Sequence, residues 1–314
     1  MFGVYFLKTW CMDTRFESQV VFCLGDCCMA QNSISLPVPH EQREQVLPPT
    51  AFERQMAERG WTVTHMRKAC TDPEVFRQQW LVCPNGARYP ERTFYRSFGS
   101  TPFRKLFRYA LSHVPCTRDL LEQICPQEVL LTSSLTFLQD QEWFHFQGRW
   151  FHRGAYQANI SNIGRTLEWY VAEWFRLTCS ITRLVQVRHG VQLAELPLPG
   201  DLDVVALLEN DLLVVIECKS RSDVDQAHFS FFLQRVEALH PDIAILLIDT
   251  PTPFSLERIN TFNAALGHLG RTSLIGNRGF YRGAKGIYVV NVEHNIATSL
   301  QDVLRYHHRR MQSS

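Results

Sequence analysis

Two strongly apolar runs, separated by only three residues, constrain the fold of this chain more than any other feature of its sequence. Leu202–Leu208 and Leu212–Cys218 have the length and composition of β-strands that are buried on both faces. The polar connection between them is centred on Asn210 and is short enough for a hairpin. The chain therefore predicts an antiparallel pair of strands inside a sheet.

Charged side chains interrupt this apolar hairpin at its open end. Pairing that is symmetrical about Asn210 places Asp203 opposite Glu217. The same pairing places Asp201 opposite Lys219. Because alternate residues of a strand share a face, all four side chains project from one side of the hairpin. Opposed Cβ atoms in such a pair are about 4.5–5.5 Å apart, which allows two carboxylates to bind one cation.

Three carboxylates and a lysine at the end of a buried hairpin are unusual for stability alone. Burial of neighbouring carboxylates raises their pKa values and is unfavourable unless a cation compensates. Mg²⁺ and Mn²⁺ bind a few carboxylates together with water and phosphate oxygens, and Lys219 can stabilise negative charge on a phosphate. The alternative is a salt-bridged hairpin end, which contributes about 0–1 kcal/mol if it is exposed.

The motif Gly-Asp-Leu-Asp at residues 200–203, followed by Glu-Cys-Lys at residues 217–219, resembles the PD-(D/E)xK nuclease superfamily. It is most similar to the nuclease domain of CRISPR-associated ancillary nucleases and to the archaeal resolvase and Mrr-like branches. Residues 164–171, which contain Glu168, are similar to the helix that precedes the strand meander in this family. The resemblance covers residues 165–310, roughly half of the chain.

The resemblance implies a restriction-endonuclease-like α/β core over residues 159–314, with a mixed central sheet flanked by helices. It implies that Asp203 and Glu217 bind the metal ion, Mg²⁺ or Mn²⁺, and that Lys219 is the catalytic lysine. Glu168 would complete the metal site or orient water. The implied catalytic residues are thus Glu168, Asp203, Glu217 and Lys219.

The implied activity is metal-dependent hydrolysis of phosphodiester bonds in nucleic acid, with DNA favoured over RNA, in defence or in DNA processing. Asp201 and Gln226 are secondary site candidates. Nucleases of this fold often dimerise, so a homodimer is compatible with the resemblance. The alternative is a non-catalytic DNA-binding or interaction protein with an inactive nuclease-like domain.

Residues 51–158 predict a second, mostly helical domain. Two short helices over residues 117–139 precede a strand, a tight turn and a strand over residues 143–152. This order is similar to the C-terminal half of a winged helix. Such a unit offers a helix to the groove and a wing to the DNA backbone, but winged helices also serve as packing units between domains, and both roles stay open.

Basic and aromatic side chains are interleaved over residues 88–108. The spacing predicts a helix over Phe103–Leu111 with one apolar face and one basic face. The candidate contacts to nucleic acid in this segment are Arg92, Arg96, Arg104, Lys105 and Arg108.

Composition limits the remaining choices. The net charge is +1, so any basic surface must be local. No apolar run approaches the ~20 residues of a membrane helix, and no membrane partner is expected. The absence of a recognisable export signal predicts a cytoplasmic location, where the ten cysteines stay reduced. Residues 1–50 have poor periodicity and form a poorly defined N-terminal segment.

Overall fold

The computed structural model describes residues 50–67, 95–113, 115–140, 144–153, 163–177, 183–196, 198–220, 224–250, 254–266, 273–274, 280–282, 286–292 and 295–312. The N-terminal segment up to residue 49 and Arg92 lie outside these ranges.

In chain order, the described strands are β1 (Val63–His65), β2 (Cys116–Thr117), β3 (Phe144–Gln147), β4 (Trp150–Arg153), β5 (Leu184–Leu193), β6 (Leu202–Leu208), β7 (Leu213–Lys219), β8 (Ile243–Ile248), β9 (Ser273–Leu274), β10 (Phe280–Arg282) and β11 (Ile287–Asn291). The described helices are α1 (Ala51–Glu58), α2 (Thr101–Ser112), α3 (Arg118–Ile124), α4 (Glu128–Asp140), α5 (Gly164–Leu177), α6 (Gln226–Leu239), α7 (Leu256–Leu266) and α8 (Ile296–Met311).

Eight of the described strands form one mixed sheet, in the order β1-β5-β6-β7-β8-β11-β10-β9. β5, β6 and β7 are an antiparallel meander. β8 is parallel to both β7 and β11, and α6 makes the crossover from β7 to β8. The predicted mixed α/β architecture, with a central sheet flanked by helices, is confirmed.

The β6–β7 hairpin has the predicted register. Val204 lies opposite Ile216 and Leu207 opposite Leu213, and the connection over residues 209–211 is a single 3-10 turn. The pairing is therefore symmetrical about Asn210. All seven residues of β6 are buried, because helices cover both faces of the sheet.

Alternation along the hairpin divides its apolar side chains between two layers. Val204 and Ile216 pack in one cluster with residues of α5 and α8. Val205 and Val215 face the other side and pack with Phe52 of α1. On this second side, α6 and α7 cover β8 and β11.

The helical part has the order α2-β2-α3-α4-β3-β4, with a three-stranded antiparallel sheet in the order β2-β4-β3. The predicted apolar face of α2 is confirmed, since its members are buried: Phe103, Leu106, Phe107 and Ala110. This face joins the same hydrophobic cluster as Trp169 of α5. The helical part and the large sheet therefore share one core.

The structure places α1 and β1 with the large sheet, although the sequence assigned residues 51–158 as a whole to the helical domain. Val63 of β1 pairs with Leu193 of β5, and Met56 of α1 packs in the same cluster as Val191. Pairing across more than a hundred residues leaves no local pattern in the sequence. None of the described helices has both the number of residues and the apolar composition that a bilayer crossing requires.

Candidate active site

The open end of the β6–β7 hairpin carries two buried carboxylates. The exposed fractions of Asp203 and Glu217 are 9% and 7%. Oδ2 of Asp203 accepts a hydrogen bond from the backbone N–H of Cys218 at 2.6 Å. This bond orients the Asp203 carboxylate across the hairpin, beside the strand that carries Glu217.

Two cationic side chains contact Glu217. Nζ of Lys219 donates to Oε1 at 2.7 Å, and Nη1 of Arg235, on α6, donates to Oε2 at 2.7 Å. Burial alone would lower the pKa of Lys219, but the adjacent carboxylates of Glu217 and Asp203 outweigh it and raise that pKa. Lys219 is therefore a positive charge at neutral pH.

Helix α5 brings Glu168 to the same end of the hairpin. The guanidinium of Arg67, which follows β1, donates from Nη1 to Oε2 of Glu168 and from Nη2 to Oδ2 of Asp201. The four carboxylates at this end of the hairpin are called the acidic cluster below: Glu168, Asp201, Asp203 and Glu217.

The ionised forms of two carboxylates in the acidic cluster are disfavoured. Burial, followed by repulsion from Glu217 and Glu168, raises the pKa of Asp203 well above its usual range. Burial also raises the pKa of Glu168 to about 7, because the opposing charge of Arg67 does not cancel it and Asp201 adds repulsion. Perturbed carboxylates of this kind are concentrated at functional sites.

The donor chemistry of the cluster fits a hard divalent cation. Asp203, Glu217 and Glu168 offer carboxylate oxygens, which are the ligands that Mg²⁺ and Mn²⁺ prefer. The raised pKa values mean that added positive charge would stabilise the ionised forms. Among the described residues, no three His, Cys, Asp or Glu side chains are already arranged as a metal centre. Arg67 and Arg235 instead contact carboxylate oxygens that a metal ion would need.

Sequence reasoning missed both arginines of the site. Arg67 and Glu168 are 101 positions apart, and Arg235 follows Glu217 by 18 positions on the next helix. Neither lies in the hairpin motif, and an isolated arginine carries no pattern that marks its partner. The glycines at positions 190 and 200 were the available sequence signals for a side chain that passes close to the backbone. In the structure both have positive φ values, 57° and 99°.

The predicted contact of Arg104 with nucleic acid is contradicted by its burial. Its exposed fraction is 1%, and Nε donates to both oxygens of Asp249 at 3.1 and 3.2 Å. The other two nitrogens donate to backbone and hydroxyl oxygens of Phe98, Gly99, Thr101 and Val292. Every nitrogen of the guanidinium is engaged, so Arg104 is a structural residue and not a phosphate contact.

The other basic candidates are more accessible. Arg108 is half-buried and donates to Oδ2 of Asp249 at 2.8 Å. Lys105 is half-buried and Arg96 is exposed. The structure does not bring these side chains into the acidic cluster, and Arg92 lies outside the described residues.

Gln226 is exposed at the first position of α6, next to the capping residue Asp225. At a rise of 1.5 Å per residue it lies about 13 Å along the helix axis from Arg235, and Arg235 is the residue of α6 that contacts the cluster. His189 is fully buried on β5. Burial and the charges of Arg176, Arg67 and Arg188 lower its pKa to about 3.

Comparisons with known proteins add little to this geometry. No family model and no curated protein matches the chain. Among solved structures, the chain is similar to the crystal structure of protein VC1899 from Vibrio cholerae, with 15% identity and a TM-score of 0.40. The match covers 72% of this chain and 57% of that one. The chemistry of the site itself is therefore what points to a function.

Proposed function

We propose that this chain is a Mg²⁺- or Mn²⁺-dependent nuclease that hydrolyses phosphodiester bonds in nucleic acid. The observation that carries the proposal is the convergence of Asp203, Glu217 and Glu168 with Lys219 at one end of the central sheet. Buried carboxylates whose ionised forms are disfavoured, beside a protonated lysine, suit a site that binds a cation and a phosphate.

The order of elements around the site also supports the proposal. Helix α5, the meander β5-β6-β7, helix α6 and the parallel strand β8 follow one another. This order is similar to the core that the resemblance to PD-(D/E)xK nucleases implies. The order α2-β2-α3-α4-β3-β4 is likewise similar to a winged helix.

Asp203 and Glu217 would hold the divalent ion, with Glu168 as a third ligand. When bound, the ion polarises a phosphoryl oxygen and makes water a stronger nucleophile. The N–H of Cys218 keeps the Asp203 carboxylate oriented. Lys219 places a positive charge where the phosphate gains negative charge, and this electrostatic contribution lowers the barrier.

The β3–β4 hairpin supports nucleic acid as the partner. Trp150 is 41% exposed, and the guanidinium carbon of Arg149 lies 5.6 Å from the centre of its ring. An exposed aromatic ring beside a cation suits base stacking and backbone contact. DNA as the favoured substrate and a homodimer remain predictions.

Cleavage of labelled single- and double-stranded DNA and RNA tests the proposal, with Mg²⁺, Mn²⁺ or EDTA. We expect wild type to cut at least one substrate in metal and none in EDTA, and Glu168→Gln to lose this cutting. Glu173→Gln is the matched control, because Glu173 is also a buried acid of α5 and pairs with Arg176 outside the cluster. Equal cutting by E168Q and E173Q would remove Glu168 from the active site.

A second function has one observation in its favour. Lys219, Arg67 and Arg235 already form ion pairs with Glu217, Glu168 and Asp201. An inactive nuclease-like domain that uses these pairs for structure, joined to a DNA-binding helical part, would show salt-sensitive DNA binding. It would show neither metal binding nor metal-dependent cutting, which separates it from the nuclease.

A further inference from the structure

Two arginines contact the acidic cluster from different elements. Arg67 follows the edge strand β1 and bridges Glu168 and Asp201. Arg235 lies on α6 and bridges Glu217 and the carbonyl oxygen of Pro199, at 2.7 and 3.0 Å. The side chains of Arg67 and Arg235 are 18% and 12% exposed. Both guanidinium groups are thus held at the carboxylates with restricted access to water.

The path of Arg67 to the cluster is built into the backbone of β5. The N–H of Arg67 donates to the carbonyl oxygen of His189 at 3.2 Å. The next residue, Gly190, has φ +57°, and a Cβ there would lie 2.4–2.5 Å from Nε, Cδ and Cγ of Arg67. Only glycine leaves room for the arginine side chain at this point. The glycine and the bridging contacts are independent features that direct Arg67 to the same place.

The charges of the described residues at the site do not balance. When all of these are ionised, the four carboxylates face three described cationic groups, Arg67, Lys219 and Arg235, which leaves one net negative charge. A divalent ion, whose carboxylate ligands are ionised, would change this to one net positive charge. A phosphodiester carries a single negative charge and would neutralise the loaded site, whereas a terminal phosphate group carries a charge of about −1.5 to −2.

We propose that Arg67 is an exchangeable counter-ion. It neutralises Glu168 and Asp201 in the metal-free chain, and it contacts the phosphodiester of the substrate once a divalent ion binds Glu168. This inference rests on the proposed function and names a substrate-binding residue of that site. The planar guanidinium suits the exchange, because the two N–H groups that now contact two carboxylate oxygens also match two phosphate oxygens.

Such a residue has opposite effects on two ligands. Arg67 competes with the metal ion for Glu168, so its removal should strengthen metal binding. Arg67 also attracts the phosphate, so its removal should weaken substrate binding. Removal of a purely structural arginine would weaken both metal binding and substrate binding, or change neither of them.

Metal binding provides the first readout and needs no catalytic activity. The electron paramagnetic resonance signal of free Mn²⁺ is titrated with wild type, Arg67→Met and Arg188→Met. We expect R67M to bind Mn²⁺ about tenfold more tightly than wild type, which is about 1.4 kcal/mol. R188M is the matched control: Arg188 lies on β5, donates to the carbonyl oxygen of Val187 and interacts with Glu53. Its Mn²⁺ affinity should stay within about twofold of wild type.

Substrate binding provides the second readout. Anisotropy of a labelled oligonucleotide is measured in Ca²⁺, which occupies oxygen-ligand sites, and again in EDTA. R67M should bind about tenfold more weakly than wild type in Ca²⁺, and equally in EDTA, because in the metal-free chain Arg67 is held by Glu168 and Asp201. Arg67→Lys, which keeps the charge and loses the planar fork, should fall between the two in Ca²⁺.

The outcomes separate this inference from the proposed function. Tighter Mn²⁺ binding together with weaker DNA binding by R67M supports the exchange. Mn²⁺ binding by R67M but not by wild type supports it as well. Equal or weaker Mn²⁺ binding by R67M, with metal-dependent cutting by wild type, overturns the exchange and leaves the nuclease intact. No Mn²⁺ binding by either protein overturns both. If R67M does not fold, Gly190→Ala displaces the Arg67 side chain without changing the charge. The same Mn²⁺ and oligonucleotide measurements on this variant then test the exchange.

Discussion

Two buried charge clusters lie at neighbouring strand ends of this sheet, and they differ in the sign of the charge that predominates among the described residues. Asp249 follows β8, and its N–H donates to the carbonyl oxygen of Lys219 at 2.8 Å. Its carboxylate is contacted by Arg104 and Arg108, and every nitrogen of Arg104 has an acceptor. In the acidic cluster, by contrast, the pKa values of Asp203 and Glu168 are both raised by burial and by their neighbours.

The difference distinguishes a structural ion pair from a candidate binding site. A buried pair whose hydrogen bonds are all made holds elements together, here α2 against the ends of β8 and β11. A buried cluster whose carboxylates have raised pKa values is less stable in its ionised form unless it binds a cation. Burial alone does not separate the two cases, because both clusters are largely excluded from water.

Breaking the cluster around Asp249 should have the largest effect on stability. Arg104→Met leaves the buried carboxylate of Asp249 with Arg108 as its remaining described cationic partner. The free energy of unfolding should fall by about 3–5 kcal/mol, measured by urea denaturation. Arg108→Met, which removes the more exposed partner, should cost less. A loss below about 1 kcal/mol in R104M would contradict the structural role.

Neutralising one carboxylate of the acidic cluster should affect activity and stability in opposite directions. Asp203→Asn should lower metal-dependent cleavage by more than about 100-fold. The free energy of unfolding without metal should stay the same or rise, because burial disfavours the ionised carboxylate that is removed.

Cleavage rates and urea denaturation of the same protein samples check the two halves of this prediction. Asp211→Asn is the matched control, since Asp211 is an exposed acid at the closed end of the same hairpin. A D203N protein that cuts like wild type, or that is as unstable as R104M, would place Asp203 with the structural residues.

His189 sharpens the comparison through pH. Its pKa is about 3 in the folded chain and about 6.5 when unfolded, so the unfolded chain takes up the proton first as pH falls. The stability contributed by neutral His189 is complete above about pH 6.5 and is lost toward pH 3, by about 1.4 kcal/mol per pH unit.

Denaturation of wild type and His189→Asn at pH 6.5 and pH 5 measures this loss. Wild type should lose about 2 kcal/mol more than the variant over this interval. The difference between the two proteins is the relevant quantity. Glu168 has a raised pKa, so its protonation stabilises the fold as pH falls, and this effect is the same in wild type and in the variant. Parallel pH profiles of wild type and the variant would show that folding does not lower the pKa of His189.

The smallest expected effect concerns the β3–β4 hairpin. Trp150→Ala should weaken binding of a single-stranded oligonucleotide by about 1–3 kcal/mol if one base stacks on the ring. Phe231→Ala, which removes an exposed aromatic residue from α6, is the control for lost apolar surface. Equal affinities of W150A, F231A and wild type would leave the helical part as a packing unit.

Much of the fold was predictable because its signals are local. The hairpin register agrees with the prediction, and the two short helices predicted over residues 117–139 are α3 and α4. The strands β9 and β10 were missed, since they are short and lie in a glycine-rich stretch. The membership of β1 in the large sheet was missed because its partner β5 is far away in the sequence.

The hairpin register follows from local sequence. A three-residue connection leaves little freedom, and the pairing from Val204–Ile216 to Leu207–Leu213 agrees with it. The partners of the buried charges depend on tertiary packing. The partners Arg67–Glu168 and Arg104–Asp249 are 101 and 145 positions apart. Their contacts depend on how whole helices and strands pack, and packing over such distances is set by the entire core and by no local pattern.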